Sequence, residues 1–129
     1  MKVFIIDDDE LLCFILRKQF ERHPEVEVWD TAANGQEGLD KLIATMEHNE
    51  TMPEVVLLDI NLPVMNGWEF LDELVRLNNQ SLSALCICML SSSINQEDHQ
   101  KSKEYEVVKH FFTKPLLDDD IRKIPDICN

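Results

Sequence analysis

Acidic side chains cluster directly after an apolar run near the start of the chain. The cluster consists of Asp7, Asp8, Asp9 and Glu10, and it follows the apolar residues 3–6. Clustered carboxylates repel one another, and their removal from water is costly. A hard divalent cation relieves both penalties, and carboxylate oxygens with retained waters suit Mg²⁺. The cluster therefore predicts a metal site rather than a set of solvated helix caps, although we expect Asp9 or Glu10 to cap the helix that follows.

Other residues with suitable chemistry also follow apolar runs. Asp59 comes after residues 55–58, Ser91 comes after residues 85–90, and Lys114 closely follows residues 107–112. A carboxylate can act as a nucleophile and form an aspartyl-phosphate. A metal ion and a lysine can neutralise the charge on the transferred oxygens, and a hydroxyl can donate a hydrogen bond to them. The set predicts phosphoryl transfer to Asp59.

A fold must bring these residues together, and the hydrophobic pattern predicts one. Five strand-like runs alternate with stretches in which apolar residues recur at helical spacing. The runs are residues 3–6, 26–29, 55–58, 85–90 and 107–112. This alternation with short links predicts a parallel sheet with helices on both faces, which is an α/β fold of three layers.

The composition of the runs also predicts their order in the sheet. The first, third and fourth runs are continuously apolar, as central strands are, whereas the second and fifth carry Glu27, Lys109 and His110. Edges formed by the second and fifth strands match the doubly wound, flavodoxin-like order 2-1-3-4-5. Ligands of such sheets bind beyond the carboxyl ends of the strands, so we expect the acidic cluster and Asp59 to converge there.

Length, charge and composition exclude several classes of function. The 129 residues fit one domain, which we predict to span residues 1–129 without an output domain. A net charge of −13 argues against nucleic acid as a direct partner. No apolar run approaches the roughly 20 residues of a membrane span, and residues 1–6 run into acidic residues without a small-residue cleavage site. We therefore expect no signal peptide and a cytoplasmic protein without membrane insertion. Three glycines are too few for a P-loop or a dinucleotide fingerprint.

The cysteines carry no motif of their own. Cys13, Cys86, Cys88 and Cys128 form no C-x-x-C pair, and Cys86 and Cys88 alternate within an apolar run. Cysteines in such a context behave as small core residues. We therefore expect structural thiols rather than a zinc site or a disulfide.

Four motifs, taken in order, resemble the receiver domain of two-component response regulators, the CheY-like superfamily. They are VFIIDD at residues 3–8, VVLLDINLP with MNG at residues 55–67, MLS at residues 89–91 and FFTKP at residues 111–115. The resemblance extends from about residue 2 to residue 124. It implies a stand-alone signalling switch that catalyses only its own phosphorylation and slow dephosphorylation.

The resemblance implies a metal site and a phosphoryl donor. Asp59 would accept phosphate from a phosphohistidine on a sensor histidine kinase or a histidine phosphotransfer protein. Asp8, Asp59 and the backbone carbonyl of Asn61 would bind Mg²⁺ directly, with Mn²⁺ as an alternative, and Asp7 would act through water. Because no DNA-binding segment is recognisable, the output would pass to a downstream protein target or a phosphorelay.

The resemblance also implies how the switch would operate. Lys114 and Ser91 would contact the phosphoryl group, and Ser91 would shift toward it. Phe111 occupies the position of an aromatic switch whose ring turns inward in the phosphorylated state. The bond between Lys114 and Pro115 is expected to be cis, a geometry that is uncommon even before proline.

The sequence departs from the family pattern at three places. Residues 48–52 lengthen the link before the third strand, and we expect a surface loop there. Glu106 stands where a glycine with a left-handed backbone is usual, so the turn is either strained or different in shape. Pro125 is expected to truncate the last helix. Residues 96–105 form a notably polar helical stretch, which is either an ordinary exposed helix or one that is loosely packed and moves on phosphorylation.

Two alternative functions stay open at the level of sequence. A haloacid-dehalogenase-like phosphatase would use a D-x-D-x-[TV] motif, which residues 7–11 approach, but Leu11 breaks the pattern and Asp59 is left unexplained. A pseudo-receiver, which is a phosphate-independent interaction module, usually lacks part of the acid, hydroxyl and lysine set. The whole set is present here.

Overall fold

A computed structural model describes residues 1–92 and 95–129. Its five strands are β1 (Lys2–Ile6), β2 (Glu27–Ala32), β3 (Val55–Asp59), β4 (Cys86–Ser91) and β5 (Val108–Thr113). Every neighbouring pair is parallel, and the strands lie in the order β2-β1-β3-β4-β5. The predicted fold, strand order and edge strands are thus confirmed.

The helices are α1 (Glu10–Phe20), α2 (Gly35–Glu47), α3 (Gly67–Leu77), α4 (Gln80–Ser83), α5 (Gln96–Ser102) and α6 (Asp118–Ile127). The side chain of Asp9 accepts a hydrogen bond from the Leu12 amide and caps α1, as predicted. The short helix α4 was not predicted, because its four residues bury only Leu82 and leave no helical pattern. None of the helices in the described residues is long and apolar enough to span a membrane.

The sheet separates two apolar clusters. Alternate residues of β1 point to opposite faces, so that Phe4 packs on one side with α2 and α3, and Ile5 packs on the other with α1 and α6. The central strands β1, β3 and β4 are therefore covered on both faces, which explains their continuous apolar runs. The outer strands β2 and β5 keep exposed positions.

The expectation that Pro125 truncates the last helix is wrong, because α6 continues through Pro125 to Ile127. A proline lacks the amide that would donate to the carbonyl four residues earlier, but this loss falls near the end of the helix. The last turn is closed by the Cys128 amide, which donates to the Ile124 carbonyl over 2.9 Å.

The turn at Glu106 differs in shape from the left-handed glycine turn that the resemblance implies. The described residues other than glycine with a positive φ are Asn49, Val64 and Asn78, and Glu106 is not among them. Instead, the chain turns through a hydrogen bond from the Val108 amide to the Tyr105 carbonyl. The turn therefore needs no left-handed residue at Glu106. Within the predicted surface loop of residues 48–52, residues 48–51 are exposed, whereas Met52 is partly buried against the core.

The expectation of four structural thiols is wrong for two of the cysteines. Cys86 and Cys128 form a disulfide with a Cα–Cα distance of 5.6 Å, whereas Cys13 and Cys88 are free. Cys86 lies on the face of β4 that α6 covers, and Cys128 is the C-cap residue of α6. The pair is separated by 42 residues, so only the packing of α6 on the sheet brings it together.

Candidate functional site

The carboxyl ends of four strands bring the predicted site residues to one edge of the sheet. Asp7 directly follows β1, Asp59 ends β3, Ser91 ends β4 and Lys114 directly follows β5. The strands are in parallel register at this edge, where Ile6 pairs with Leu58, Asp59 with Leu90, and Ser91 with Thr113. The convergence predicted from the strand ends is therefore present.

Three carboxylates form an acidic pocket. Oxygen atoms of Asp7, Asp8 and Asp59 all lie within 4.8 Å of one another. Asp7 and Asp59 are buried at 3% and 6% exposure, whereas Asp8 is exposed to solvent. A set of hard oxygen donors that is open on one side suits a cation that keeps part of its water, as Mg²⁺ does. The residues therefore fit the metal that the sequence predicts.

Asp7 is held in place by the backbone around it. Its amide donates a hydrogen bond to the Ala32 carbonyl over 3.0 Å, and its Oδ1 accepts one from the Asp9 amide over 2.9 Å. Its other oxygen, Oδ2, faces the Lys114 ammonium at 2.7 Å. Asp7 is thus oriented by the start of α1 and by the neighbouring strand β2.

Lys114 contacts both buried carboxylates. Its Nζ lies 2.7 Å from Asp7 Oδ2 and 3.4 Å from Asp59 Oδ2. Its amide donates to the Ser91 carbonyl over 2.7 Å, and its bond to Pro115 is cis, as expected. Partial burial lowers the pKa of Lys114, but the hydrogen bond to Asp7 and the charges of Asp59 and Asp7 outweigh it, so the pKa lies above its ordinary value.

The positive charge near the Asp59 carboxylate does not fully offset its burial and the negative charge of Asp7. Burial raises its pKa, and the neighbouring charge of Asp7 raises it further. The Lys114 ammonium and a hydrogen bond with the Asn61 backbone oppose the shift, but the pKa of Asp59 still lies above its ordinary value. The pocket therefore favours an additional cation close to Asp59.

The loop after Asp59 is fixed by backbone hydrogen bonds. The Gly67 amide donates to the Ile60 carbonyl over 2.9 Å, and the Met65 amide donates to the Pro63 carbonyl over 2.7 Å. Between them, Val64 has a φ of 65° and is 80% exposed, so a β-branched residue occupies the left-handed region. Sequence reasoning missed this conformation because valine gives no signal for it.

Gly67 is a further site residue whose role is steric. A Cβ atom at Gly67 would lie 2.6 Å from the Asp59 carbonyl oxygen and 3.0 Å from the Ile60 Cα. Both neighbours are backbone atoms, which a side-chain rotation cannot move away. Gly67 therefore lets α3 begin directly against the strand end that carries Asp59. The motif MNG marked the position, but not this contact.

Two other predicted residues lie on strands that lead to the pocket. Ser91 is buried at 2% exposure at the end of β4. Phe111 is partly buried on β5 and stacks on His99 of α5, with ring centroids 5.2 Å apart and ring planes 7° from parallel. Phe111 thus connects the strand that leads to Lys114 with the polar helix α5.

Comparison with known proteins gives one consistent family. The sequence profile of the response regulator receiver domain matches residues 3–125. A two-component response regulator from Cytophaga hutchinsonii superposes with a TM-score of 0.86 at 27% identity, covering 97% of this chain and 93% of that one. The chemotaxis protein CheY4 of Vibrio cholerae superposes with a TM-score of 0.79 at 26% identity, covering 99% and 98%.

Similar sequences are found within longer proteins. A protein-glutamate methylesterase/protein-glutamine glutaminase of Clostridium acetobutylicum is 32% identical over 128 residues, which is 98% of this chain and 34% of that protein. A protein of the same name from Geobacillus kaustophilus is 38% identical over 76 residues, which is 59% of this chain and 20% of that protein. The chain thus spans about a third or less of these relatives. The profile match, the parallel sheet and the acidic strand ends agree, and the chain belongs to the response regulator receiver domain family.

Proposed function

We propose that the chain is a phosphorylation switch in which Asp59 accepts a phosphoryl group from a phosphohistidine donor. One observation carries this proposal. The buried Asp59 carboxylate ends a central strand, with Asp7 and Asp8 oxygens within 4.8 Å and the Lys114 ammonium at 3.4 Å. Nucleophile, cation ligands and a positive side chain therefore meet at one point, which is the set that phosphoryl transfer to a carboxylate requires.

The transfer follows from the chemistry of these side chains. An Asp59 oxygen attacks phosphorus, the bond from phosphorus to the donor imidazole breaks, and the imidazole leaves with a proton taken from solvent. The Lys114 ammonium neutralises charge on the transferred oxygens, and the Ser91 hydroxyl donates a hydrogen bond to one of them. Mg²⁺ held by Asp8, Asp59 and the Asn61 carbonyl, with Asp7 through water, would supply the remaining positive charge.

An apolar patch on α1 supports a protein as the donor. We define this α1 patch as Leu11, Phe14 and Ile15, which are 67%, 58% and 46% exposed. Phe14 and Asp7 line the same surface cavity of about 310 Å³, so the patch adjoins the acidic pocket. A donor that brings its phosphohistidine to Asp59 must cover the surface around the pocket. We therefore propose that the histidine kinase or phosphotransfer protein docks on the α1 patch.

The output is proposed to pass to a protein. A net charge of −13 makes direct contact with nucleic acid unfavourable. The matched relatives named protein-glutamate methylesterase extend well beyond the receiver region, so their catalytic activity is not transferred to this chain. The phosphatase alternative is disfavoured because Asp9, the second acid of its motif, caps α1. It also gives no role to Asp59.

The decisive experiment is labelling with acetyl phosphate and Mg²⁺, followed by intact mass measurement. We expect the wild type to gain one phosphoryl group and Asp59→Asn to gain none. Asp40→Asn, which changes an exposed aspartate on α2, is the matched control and should label normally. Addition of EDTA should abolish labelling, and p-nitrophenyl phosphate should not be turned over. A phosphorylated Asp59→Asn protein would show that another residue is the acceptor.

A further inference from the structure

Three sulfur atoms lie together toward the amino ends of the strands, away from the acidic pocket at their carboxyl ends. The Sγ atoms of Cys86, Cys88 and Cys128 all lie within 4.8 Å of one another. Cys86 and Cys128 are bonded, and the free Sγ of Cys88 lies 3.9 Å from the Sγ of Cys128. Cys128 is therefore within reach of two partners. The receiver chemistry described above uses none of the three residues.

The placement of the three cysteines follows from the fold. Cys86 and Cys88 are two residues apart on β4, so both point to the face that α6 covers. Cys86 and Cys88 are 7% and 0% exposed, whereas Cys128 is only partly buried at the end of α6. Cys128 is therefore the most exposed residue of the three.

We propose that Cys128 is a redox modification site that forms a reversible disulfide with Cys86, and that Cys88 is its second partner. The Cys86–Cys128 bond fixes the last turn of α6. In the reduced protein, the Cys128 thiol attacks hydrogen peroxide, the O–O bond breaks, and a sulfenic acid and one molecule of water are formed. The Cys86 thiol then attacks the Cys128 sulfur, and a second water leaves. Two thiols are oxidised and one peroxide is reduced. Two molecules of a monothiol such as glutathione reverse the reaction and become one disulfide.

The free thiol of Cys88 is a poor nucleophile at neutral pH. Burial raises the pKa of the Cys88 thiol to about 12, so Cys88 is almost entirely protonated at neutral pH. Because the thiolate is the attacking species, Cys88 captures Cys128 slowly and serves when Cys86 is absent or blocked. In a reducing compartment, such as the cytoplasm that the sequence predicts, a disulfide persists only under oxidising conditions, which makes the bond responsive rather than permanent.

The last turn of α6 is the part of the fold that depends on this bond. Its start is fixed separately, because Asp118 accepts hydrogen bonds from Gln19 of α1 and from Arg22, which lies just beyond α1. Near its end, Pro125 lacks an amide, and the Cys128 amide supplies the closing hydrogen bond to Ile124. Reduction should therefore loosen the last turn and leave the first turn in place.

Redox state and phosphorylation should act independently. Cys86 begins β4 and Ser91 ends it, and five steps of roughly 3.3 Å separate them by roughly 16 Å. The thiol that donates to the Asp7 carbonyl, over 3.7 Å, is that of Cys13, which does not belong to this group of three cysteines. Labelling of Asp59 by acetyl phosphate should therefore proceed at the same rate in the oxidised and reduced proteins.

Peptide mapping of variants tests the choice of partner. The full chain is reduced, freed of reductant, treated with hydrogen peroxide, alkylated and digested. We expect a Cys86–Cys128 bond in the wild type and in Cys88→Ala, a slower Cys88–Cys128 bond in Cys86→Ala, and no intramolecular bond in Cys128→Ala. Alanine avoids placing a hydroxyl in the core, and circular dichroism confirms that each variant folds. A wild type that stays reduced, a Cys86→Ala protein without a bond, or a Cys128→Ala protein that forms one would each overturn the proposal.

Hydrogen exchange tests the consequence for α6. In the oxidised wild type, amides of the last turn of α6 should exchange about tenfold or more slowly than in the reduced wild type. Cys128→Ala should behave like the reduced wild type under both conditions. Equal exchange in the oxidised and reduced wild type would show that the bond does not hold the turn.

Discussion

The Lys114 ammonium lies closer to Asp7 than to Asp59, at 2.7 Å from Oδ2 of Asp7 and 3.4 Å from Oδ2 of Asp59. One cation thus serves two buried carboxylates. A divalent ion in the pocket would share these oxygens with Lys114, and two positive charges at such distances repel each other. The lysine that assists transfer should therefore weaken the binding of the metal.

Replacement of Lys114 by methionine should separate these two effects. We expect Lys114→Met to bind Mg²⁺ about threefold to tenfold more tightly, as measured by calorimetry, because a competing charge is removed. The same variant should be labelled by acetyl phosphate about tenfold or more slowly, because charge on the phosphoryl oxygens is no longer neutralised. Lys41→Met, which removes a lysine paired with Asp30 and Glu37, is the control. Weaker Mg²⁺ binding by Lys114→Met would contradict the competition.

Removal of the Asp59 charge should stabilise the metal-free protein. The pKa of Asp59 is raised in the folded state, chiefly by burial and then by Asp7, so its ionised form is unfavourable there. The cost is absent below the unfolded pKa, grows between the unfolded and folded values, and is constant above the folded value. In EDTA at neutral pH, Asp59→Asn should melt a few degrees higher than wild type, and the difference should vanish near pH 3.

The exposed control Asp40→Asn should show no such pH-dependent gain. Saturating Mg²⁺ should also reduce the advantage of Asp59→Asn, because the ion stabilises the wild-type carboxylates and the variant has lost one ligand. A variant that melts below wild type in EDTA at neutral pH would show that the carboxylate is not destabilising.

Replacement of Gly67 by alanine should destabilise the protein much more than replacement of Gly38. In Gly67→Ala the new Cβ meets the backbone of Asp59 and Ile60, whereas in Gly38→Ala it meets the Cδ1 atom of the Ile6 side chain at 2.6 Å. A side-chain end can rotate, and alanine favours a helix by about 1 kcal/mol over glycine. Gly38→Ala should therefore change the free energy of unfolding by no more than about 1 kcal/mol, whereas Gly67→Ala should cost roughly 2–3 kcal/mol.

Denaturant melts measure both changes, and acetyl phosphate labelling adds a functional readout. Gly67→Ala should also label more slowly, because the loop after Asp59 must shift to admit the methyl group. Equal stability and equal labelling of the two variants would remove the steric role assigned to Gly67.

Substitution in the α1 patch should affect a protein donor and spare a small one. The donor is a phosphorylated histidine phosphotransfer protein that labels the wild type. Phe14→Ser should slow phosphotransfer from this donor by about tenfold or more. Labelling by acetyl phosphate should stay unchanged, because acetyl phosphate needs no docking surface. Val75→Ser, which alters a side chain of α3 with 62% exposure, is the control and should leave both reactions intact. Equal loss with both donors would place Phe14 in the pocket rather than in a docking surface.

The helix α5 should respond to phosphorylation. Only Ser102 of its seven residues is buried, and the stack of His99 on Phe111 is a contact it makes with β5. Few buried contacts allow local opening at low free-energy cost. Hydrogen exchange of α5 should therefore change when a phosphate mimic binds with Mg²⁺, and the change should be absent in Asp59→Asn. Identical protection with and without the mimic would contradict the prediction.

The sheet and the pocket were predictable from sequence because they depend on features that recur along the chain. Continuous apolar runs identified the central strands, and the residues after them were Asp7, Asp59 and Ser91, whereas Lys114 followed the edge strand β5. Parallel strands end at one edge, so the order of strands sufficed to bring these residues together. The distances within the site, such as the closer approach of Lys114 to Asp7 than to Asp59, depend on side-chain packing. The hydrophobic pattern of the sequence carries no information on that packing.

The errors arose where distant parts of the chain meet. Cys86 and Cys128 lie 42 residues apart, and only the packing of α6 on the sheet joins them. Pro125 indicated a helix end, but one missing hydrogen bond in the last turn is tolerated when Ile121 and Ile124 are fully buried. In both cases tertiary contacts outweighed a local signal.

The backbone at Val64 has a consequence for how the acceptor loop is set. A β-branched residue at a φ of 65° costs about 1–2 kcal/mol relative to its relaxed form, and the Met65 amide holds it there through the Pro63 carbonyl. The loop beside Asp59 therefore carries backbone strain, and hydrogen bonds at both of its ends hold it in this conformation. A perturbation that breaks the hydrogen bond at either end releases this strain. The strain therefore lowers the free-energy cost of rearranging the loop.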